Sequence, residues 1–175
     1  MDQINPVQLQ YIYDAYRDAA LNRLYYGVKL ARYRRFNFWI EIAIAIGAAG
    51  SSGGIAGLAV WGTLPGNYAW LAISGIATVL AVLKPVIQLA NRIENYTKLY
   101  AGYTNIFLEL EEIVEEIGVA HAITEKTRDR YVRSRQLLRE LAPLAEPSRS
   151  KQLIAKLQEQ VNRDIPPESL WTPIE

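Results

Sequence analysis

The chain has 175 residues, 50% hydrophobic and 21% charged, with 19 Lys and Arg set against 18 Asp and Glu, a balance that argues against a general nucleic-acid binder. It contains no Cys and a single His, which removes the usual material of metal centres and thiol or His-based catalysis. The charges are unevenly placed: from Ile42 to Leu83 there is no Asp, Glu, Lys, Arg or His, whereas a soluble helix must keep one face for water.

Taken in chain order, the first element reads as a helix opening at about Pro6, a residue suited to a first helical position. Leu9, Tyr13, Tyr16, Ala20, Leu24, Val28 and Ala31 recur at spacings of three and four and form a Tyr-rich apolar stripe. No breaker stands before Phe38, so this helix is expected to run into the apolar stretch, with a bend near Arg34-Arg35-Phe36-Asn37.

The charge-free stretch divides at Trp61-Gly62-Thr63-Leu64-Pro65-Gly66-Asn67-Tyr68, where Pro-Gly and Asn supply turn chemistry. The two arms, Phe38 to Trp61 and Tyr68 to about Ala90, each reach the roughly 20 residues that cross about 30 Å of hydrocarbon. Trp39 at one end, and Trp61, Tyr68 and Trp70 beside the turn, fit an interfacial aromatic belt. More than thirty residues precede the first arm, which is also too long for the apolar core of a secretory signal, so the anchor is expected to persist. Lys29, Arg32, Arg34, Arg35, Arg92 and Lys98 flank the arms while the turn carries no charge, which predicts both termini in the cytoplasm.

Within the first arm, Gly47-Ala48-Ala49-Gly50-Ser51-Ser52-Gly53-Gly54-Ile55-Ala56-Gly57 is crowded with small residues, and pairs such as Gly50 with Gly54 and Gly53 with Gly57 allow close helix approach in lipid. That face either packs the hairpin on itself or, with Ser51 and Ser52, meets other subunits or lines a conduit. Glu41 and Lys84 bound the charge-free stretch and lie at one depth in a hairpin. They read as a structural pair with a snorkelling Lys, or as a ring of charge at a pore mouth. Pro85 is expected to bend the helix there.

Beyond the second arm, Ile93, Tyr96, Tyr100, Tyr103, Phe107, Leu110, Val114 and Ile117 form a heptad-like, coiled-coil seam, taken as continuous with the membrane helix and as a candidate surface for assembly. Gly118 is the expected helix end, and the single His121 reads as a surface or capping residue rather than a titrating functional group. A further helix is expected over about Thr124 to Leu141 before Pro143 and Pro147, and a short one over Ser148 to Asn162 with Ser148 as N-cap. Five glutamates from Glu109 to Glu116 and six basic residues from Lys126 to Arg139 predict complementary helix faces; the other reading has Arg128, Arg130, Arg133 and Arg135 bind a phosphate-bearing ligand. The proline-rich tail retains Leu170 and Trp171, which implies docking on a neighbour.

The resulting expectation is an all-α membrane protein, a two-helix transmembrane hairpin with long cytoplasmic helical extensions. Its segments are 1–36, an amphipathic helix; 37–91, the hairpin; 92–145, a helical region; and 146–175, a short helix and tail. No catalytic constellation, cofactor motif or metal spacing is present, so the chain is read as a non-enzyme.

The Tyr-rich helix ending in Leu30-Ala31-Arg32-Tyr33-Arg34-Arg35, the tight hairpin, and the run Asn91-Arg92-Ile93-Glu94-Asn95-Tyr96 resemble the SLATT family over roughly residues 10 to 140. These are bacterial two-membrane-helix proteins associated with nucleotide-signalling defence systems. The resemblance rests on layout and composition and carries over no ligand residue. It implies an oligomeric, pore-forming or channel-like effector of the inner membrane, acting in antiviral defence with a nucleotide-signalling or sensor partner. The alternative is a non-conducting anchor or scaffold that presents its helices to a soluble partner.

Overall fold

A computed structural model of the chain describes residues 6–52, 75–82 and 88–172, and of residues 47–52 the backbone alone. The described residues are all-α, without a strand. Helix α1 spans Pro6–Ser52, α2 residues 75–82, α3 Leu89–Ala120, α4 Glu125–Leu141 and α5 Lys151–Asp164, with single 3-10 turns at Ala142–Leu144 and Pro167–Ser169. The chain divides into two compact units, residues 1–30 with 95–175, and residues 31–94. The three non-hairpin segments expected from sequence thus contribute to one unit, joined through contacts between chain ends.

In the first unit the apolar stripe of α1 packs on α3: Leu9, Ile12, Tyr13, Tyr16, Ala19 and Ala20 share a core with Ile106, Phe107, Leu110, Ile113 and Ile117. Tyr16 stacks on Phe107 at 5.1 Å between centroids, and Tyr26 stacks on Tyr103 at 5.4 Å, so the helices run antiparallel. Helix α4 closes the core with Tyr131, whose hydroxyl donates to the Tyr11 carbonyl at 3.2 Å, and α5 closes it with Val161. The tail is the last layer. Ile165, Leu170 and Trp171 pack on the same core, and the Tyr13 hydroxyl donates to the Trp171 carbonyl at 2.7 Å. The neighbour that the tail docks on is therefore the chain's own bundle.

Helix boundaries follow cap chemistry. Thr124 caps α4, its hydroxyl accepting from the Thr127 N–H at 3.1 Å, while Glu125 and Arg139 complement the helix dipole. Two expectations shift. Helix α3 passes through Gly118 and ends at Ala120; His121 takes the left-handed position (φ 52°), and its N–H reaches the Ile117 carbonyl at 2.9 Å. Left-handed backbone is costly for a side-chain-bearing residue, and the His121 ring stacks on Trp171 at 4.9 Å, a contact glycine would forgo. Helix α5 is capped by Ser150 rather than Ser148, because the intervening Arg149 is held on α1 by Asn22 and Tyr26.

In the second unit, Ile40, Ala77 and Leu89 are buried, and Arg92 donates to the Tyr33 hydroxyl at 3.4 Å. Helix α1 is uninterrupted through Arg34–Asn37. Helix α3 starts at Leu89, behind Gln88 with φ 49°. A right-handed helix cannot pass through that angle, so the expected continuity between the second arm and the seam helix does not hold at Gln88, while the bend expected at Pro85 lies outside the described residues. No helix among the described residues is long and apolar enough to cross a membrane. Much of both expected arms, Gly53 to Ser74 and Leu83 to Ile87, lies outside the described residues.

Candidate functional site

The residues singled out around the hairpin fall in the second unit. Glu41 is exposed on α1 and accepts from the Asn37 side-chain amide at 2.9 Å, one turn back. Gly47, Gly50 and Ser51 are helical in α1, with their side-chain surroundings not described, and Gly54, Gly57 and Lys84 lie outside the described residues.

What the second unit does display is apolar surface. Phe36, Phe38, Trp39 and Ile46 on α1, and Ile76, Val79 and Val82 on α2, expose between 50% and 64% of their area. Leaving a large apolar side chain half in water forgoes roughly 1 kcal/mol of burial energy. The opposite stripe of α1 is covered: Tyr33 and Asn37 are half-buried and Ile40 is buried. Arg32, Arg34 and Arg35 stand beside the exposed aromatics and have no carboxylate partner among the described residues.

The candidate assembly seam lies on α3. Tyr96, Tyr103, Phe107, Leu110 and Ile117 are buried within this chain, Val114 is half-buried on the same core, and Tyr100 is exposed. Periodicity identified the apolar face of α3; the partner covering it is α1 of the same chain.

Two polar clusters order the first unit. At one, the Glu146 carboxylate accepts from the Tyr25 hydroxyl at 3.1 Å and from the Tyr96 hydroxyl, and pairs with Lys29 at 3.2 Å. Burial alone would pull the Lys29 pKa down, but the Glu146 hydrogen bond and charge prevail and hold it above the ordinary value. Arg149 donates to Asn22 at 2.7 Å and to the Tyr26 hydroxyl at 3.2 Å. Together they pin the α4–α5 connection to α1 and α3. Sequence reading missed this cluster because its members lie 50 to 127 residues apart.

At the other, Arg130 bonds three carboxylates: Glu109 at 2.6 Å, Glu112 at 2.5 Å and Glu116 at 2.9 Å. The Arg130 bond holds Glu109 below the ordinary carboxylate range, and the Glu109 bond raises Arg130 further above its own. The complementary-face expectation is realised mainly through this guanidinium, which is no longer available to a phosphate ligand, with Lys126 4.0 Å from Glu116 beside it, while Arg128, Arg133 and Arg135 remain exposed on α4. An open cleft of about 600 Å³ adjoins the cluster, lined by Glu115, Glu116, Val119, Thr124 and Lys126 among others. Among the described residues no set of His, Asp and Glu is arranged to hold a metal ion.

Comparison with known proteins gives no matching family model, no matching curated protein and no matching solved structure.

Proposed function

We propose that this chain is the subunit of an oligomeric membrane effector of the bacterial inner membrane. It crosses the bilayer twice as a helical hairpin, keeps both termini cytoplasmic, and admits ions when assembled in response to a nucleotide-signalling or sensor partner. The observation that carries the hairpin is the antiparallel register of α1 and α3. In the first unit the facing pairs Tyr16 with Phe107, Tyr26 with Tyr96 and Tyr103, and Gly27 with Tyr100 have residue numbers that add up to between 122 and 129. In the second, Tyr33 and Arg92 add up to 125. A hairpin with equal arms needs its turn at half that sum, between 61 and 65, and the sequence there is Trp61-Gly62-Thr63-Leu64-Pro65.

The charge-free run from Ile42 to Leu83 and the exposed apolar residues bordering it support lipid as the solvent of those arms. The SLATT-like layout supports the effector role. One hairpin cannot enclose water, so conduction requires several copies about an axis, and small residues such as Gly50 and Gly54 suit close helix contacts between or within them.

A second reading has its own observation. The seam that would join copies is buried inside the bundle, which favours a self-contained module presented by a non-conducting anchor. Ion flux through purified protein in liposomes, with and without a partner or nucleotide, separates the two. The effector reading expects flux under at least one activating condition; vesicles tight under all of them support the anchor.

A further inference from the structure

Residues 32–39 of α1 combine two properties that rarely coincide on a solvated helix. Successive helical side chains are about 100° apart, so Arg32 and Arg35 share one face, as residues three apart do, Arg34 stands on an adjoining one, and all three are exposed. Phe36, Phe38 and Trp39 follow directly, also exposed, with Phe38 and Trp39 meeting edge to face at 5.8 Å. Only the stripe of Tyr33, Asn37 and Ile40 is covered. Arg92 joins from α3 through the Tyr33 hydroxyl at 3.4 Å, bringing a fourth exposed guanidinium to this level.

We infer that Arg32, Arg34, Arg35 and Arg92, with Phe36, Phe38 and Trp39, form a collar that binds the headgroups of anionic phospholipids. Guanidinium forks match phosphate oxygens in two-point contacts. Aromatic rings one turn further along the helix suit the boundary between headgroups and acyl chains. The arginines have no carboxylate partner among the described residues, so an anionic lipid supplies the counter-charge. Three guanidiniums spread over roughly 160° of the helix, with Arg92 on the neighbouring helix, fit several headgroups better than one small ligand. This inference rests on the two-span reading.

Each basic side chain near an anionic surface favours association about fivefold, which makes three worth on the order of a hundredfold before screening by salt. The test is native mass spectrometry of the purified full chain in micelles containing equal phosphatidylglycerol and phosphatidylcholine. Wild type should retain phosphatidylglycerol over phosphatidylcholine by at least about tenfold, and Arg32→Gln/Arg34→Gln/Arg35→Gln should bring the two to near parity. The variant Arg128→Gln/Arg133→Gln/Arg135→Gln, which removes equal charge from exposed positions of α4, should keep the preference. Parity in wild type, an undiminished preference in the collar variant, or equal loss in the α4 variant would overturn the collar. Carbonate extraction of membranes carrying wild type tests the underlying reading separately: release of the chain would sink the two-span anchor, while retention with lipid parity would sink the collar alone.

Discussion

Tyr26 lies flat on Tyr103, ring centroids 5.4 Å apart and planes 11° from parallel, so α1 and α3 meet ring on ring beside the Arg149 and Glu146 contacts. Tyr26→Phe keeps that stack and loses the hydroxyl that accepts from Arg149, at a cost of about 1 kcal/mol. Tyr26→Ala also opens a cavity and should cost about 3–5 kcal/mol. Thermal melts of the two variants in detergent would show the ordering.

The same tyrosines predict alkaline instability. Burial pushes Tyr13 and Tyr26 up from the ordinary phenol value and, with Glu111 nearby, Tyr16 up to about 12; Lys29 is also raised. A group whose folded pKa lies above its unfolded one contributes stability that is complete below the unfolded value and lost as pH rises through the folded one. Stability should therefore decline between about pH 10 and 12. Absorbance at the tyrosinate band should show a late class of phenols ionising only as the bundle opens.

At low pH the Arg130 cluster should dominate. Glu109 is held below its ordinary pKa by Arg130, so its contribution is complete above about pH 4.3 and lost as pH falls through the folded value. Glu112 is well exposed and Glu109 partly so, which keeps each pair weak. Arg130→Met should cost about 1 kcal/mol at neutral pH and flatten the acid limb of the stability curve. Arg130→Lys should recover little, since an ammonium cannot reach three carboxylates in a fork.

Gly102 faces Leu141: a Cβ there would stand 2.7 Å from Leu141 Cδ1. Because that neighbour is the end of a flexible side chain, Gly102→Ala sets a gain of up to about 1 kcal/mol in helix propensity against displacing Leu141. Gly102→Val should destabilise clearly. Adding Leu141→Ala should relieve the Val variant, a coupling that a double-mutant cycle on melts would measure.

What could be read from sequence was local. The first half of the α1 stripe, the start of α4 near Thr124 and the opposed charges of Glu109 to Glu116 and Arg130 all depend on residues a few positions apart, and the structure realises them, whereas Val28 and Ala31 of the same stripe are exposed and Tyr25, Tyr26 and Leu30 are buried instead. Periodicity shows that Tyr103 and Phe107 need cover without saying what provides it, which is why an internal core read as a candidate seam between copies. The Glu146 and Arg149 anchors and the seat of Trp171 depend on pairings across the length of the chain, for which sequence carries no spacing signal. His121 in place of a glycine cap was illegible for the same reason: its stacking partner lies fifty residues on.

The central claim is a hairpin whose turn and termini face opposite sides of the bilayer. Because the chain contains no Cys, single cysteines can be labelled without background. Gly66→Cys and Ser148→Cys, expressed separately in bacterial cells, would be exposed to a maleimide that cannot cross the inner membrane. The account predicts labelling of Cys at position 66 once the outer membrane is permeabilised, and at position 148 only after the inner membrane is broken. Labelling of both positions from the same side would contradict it.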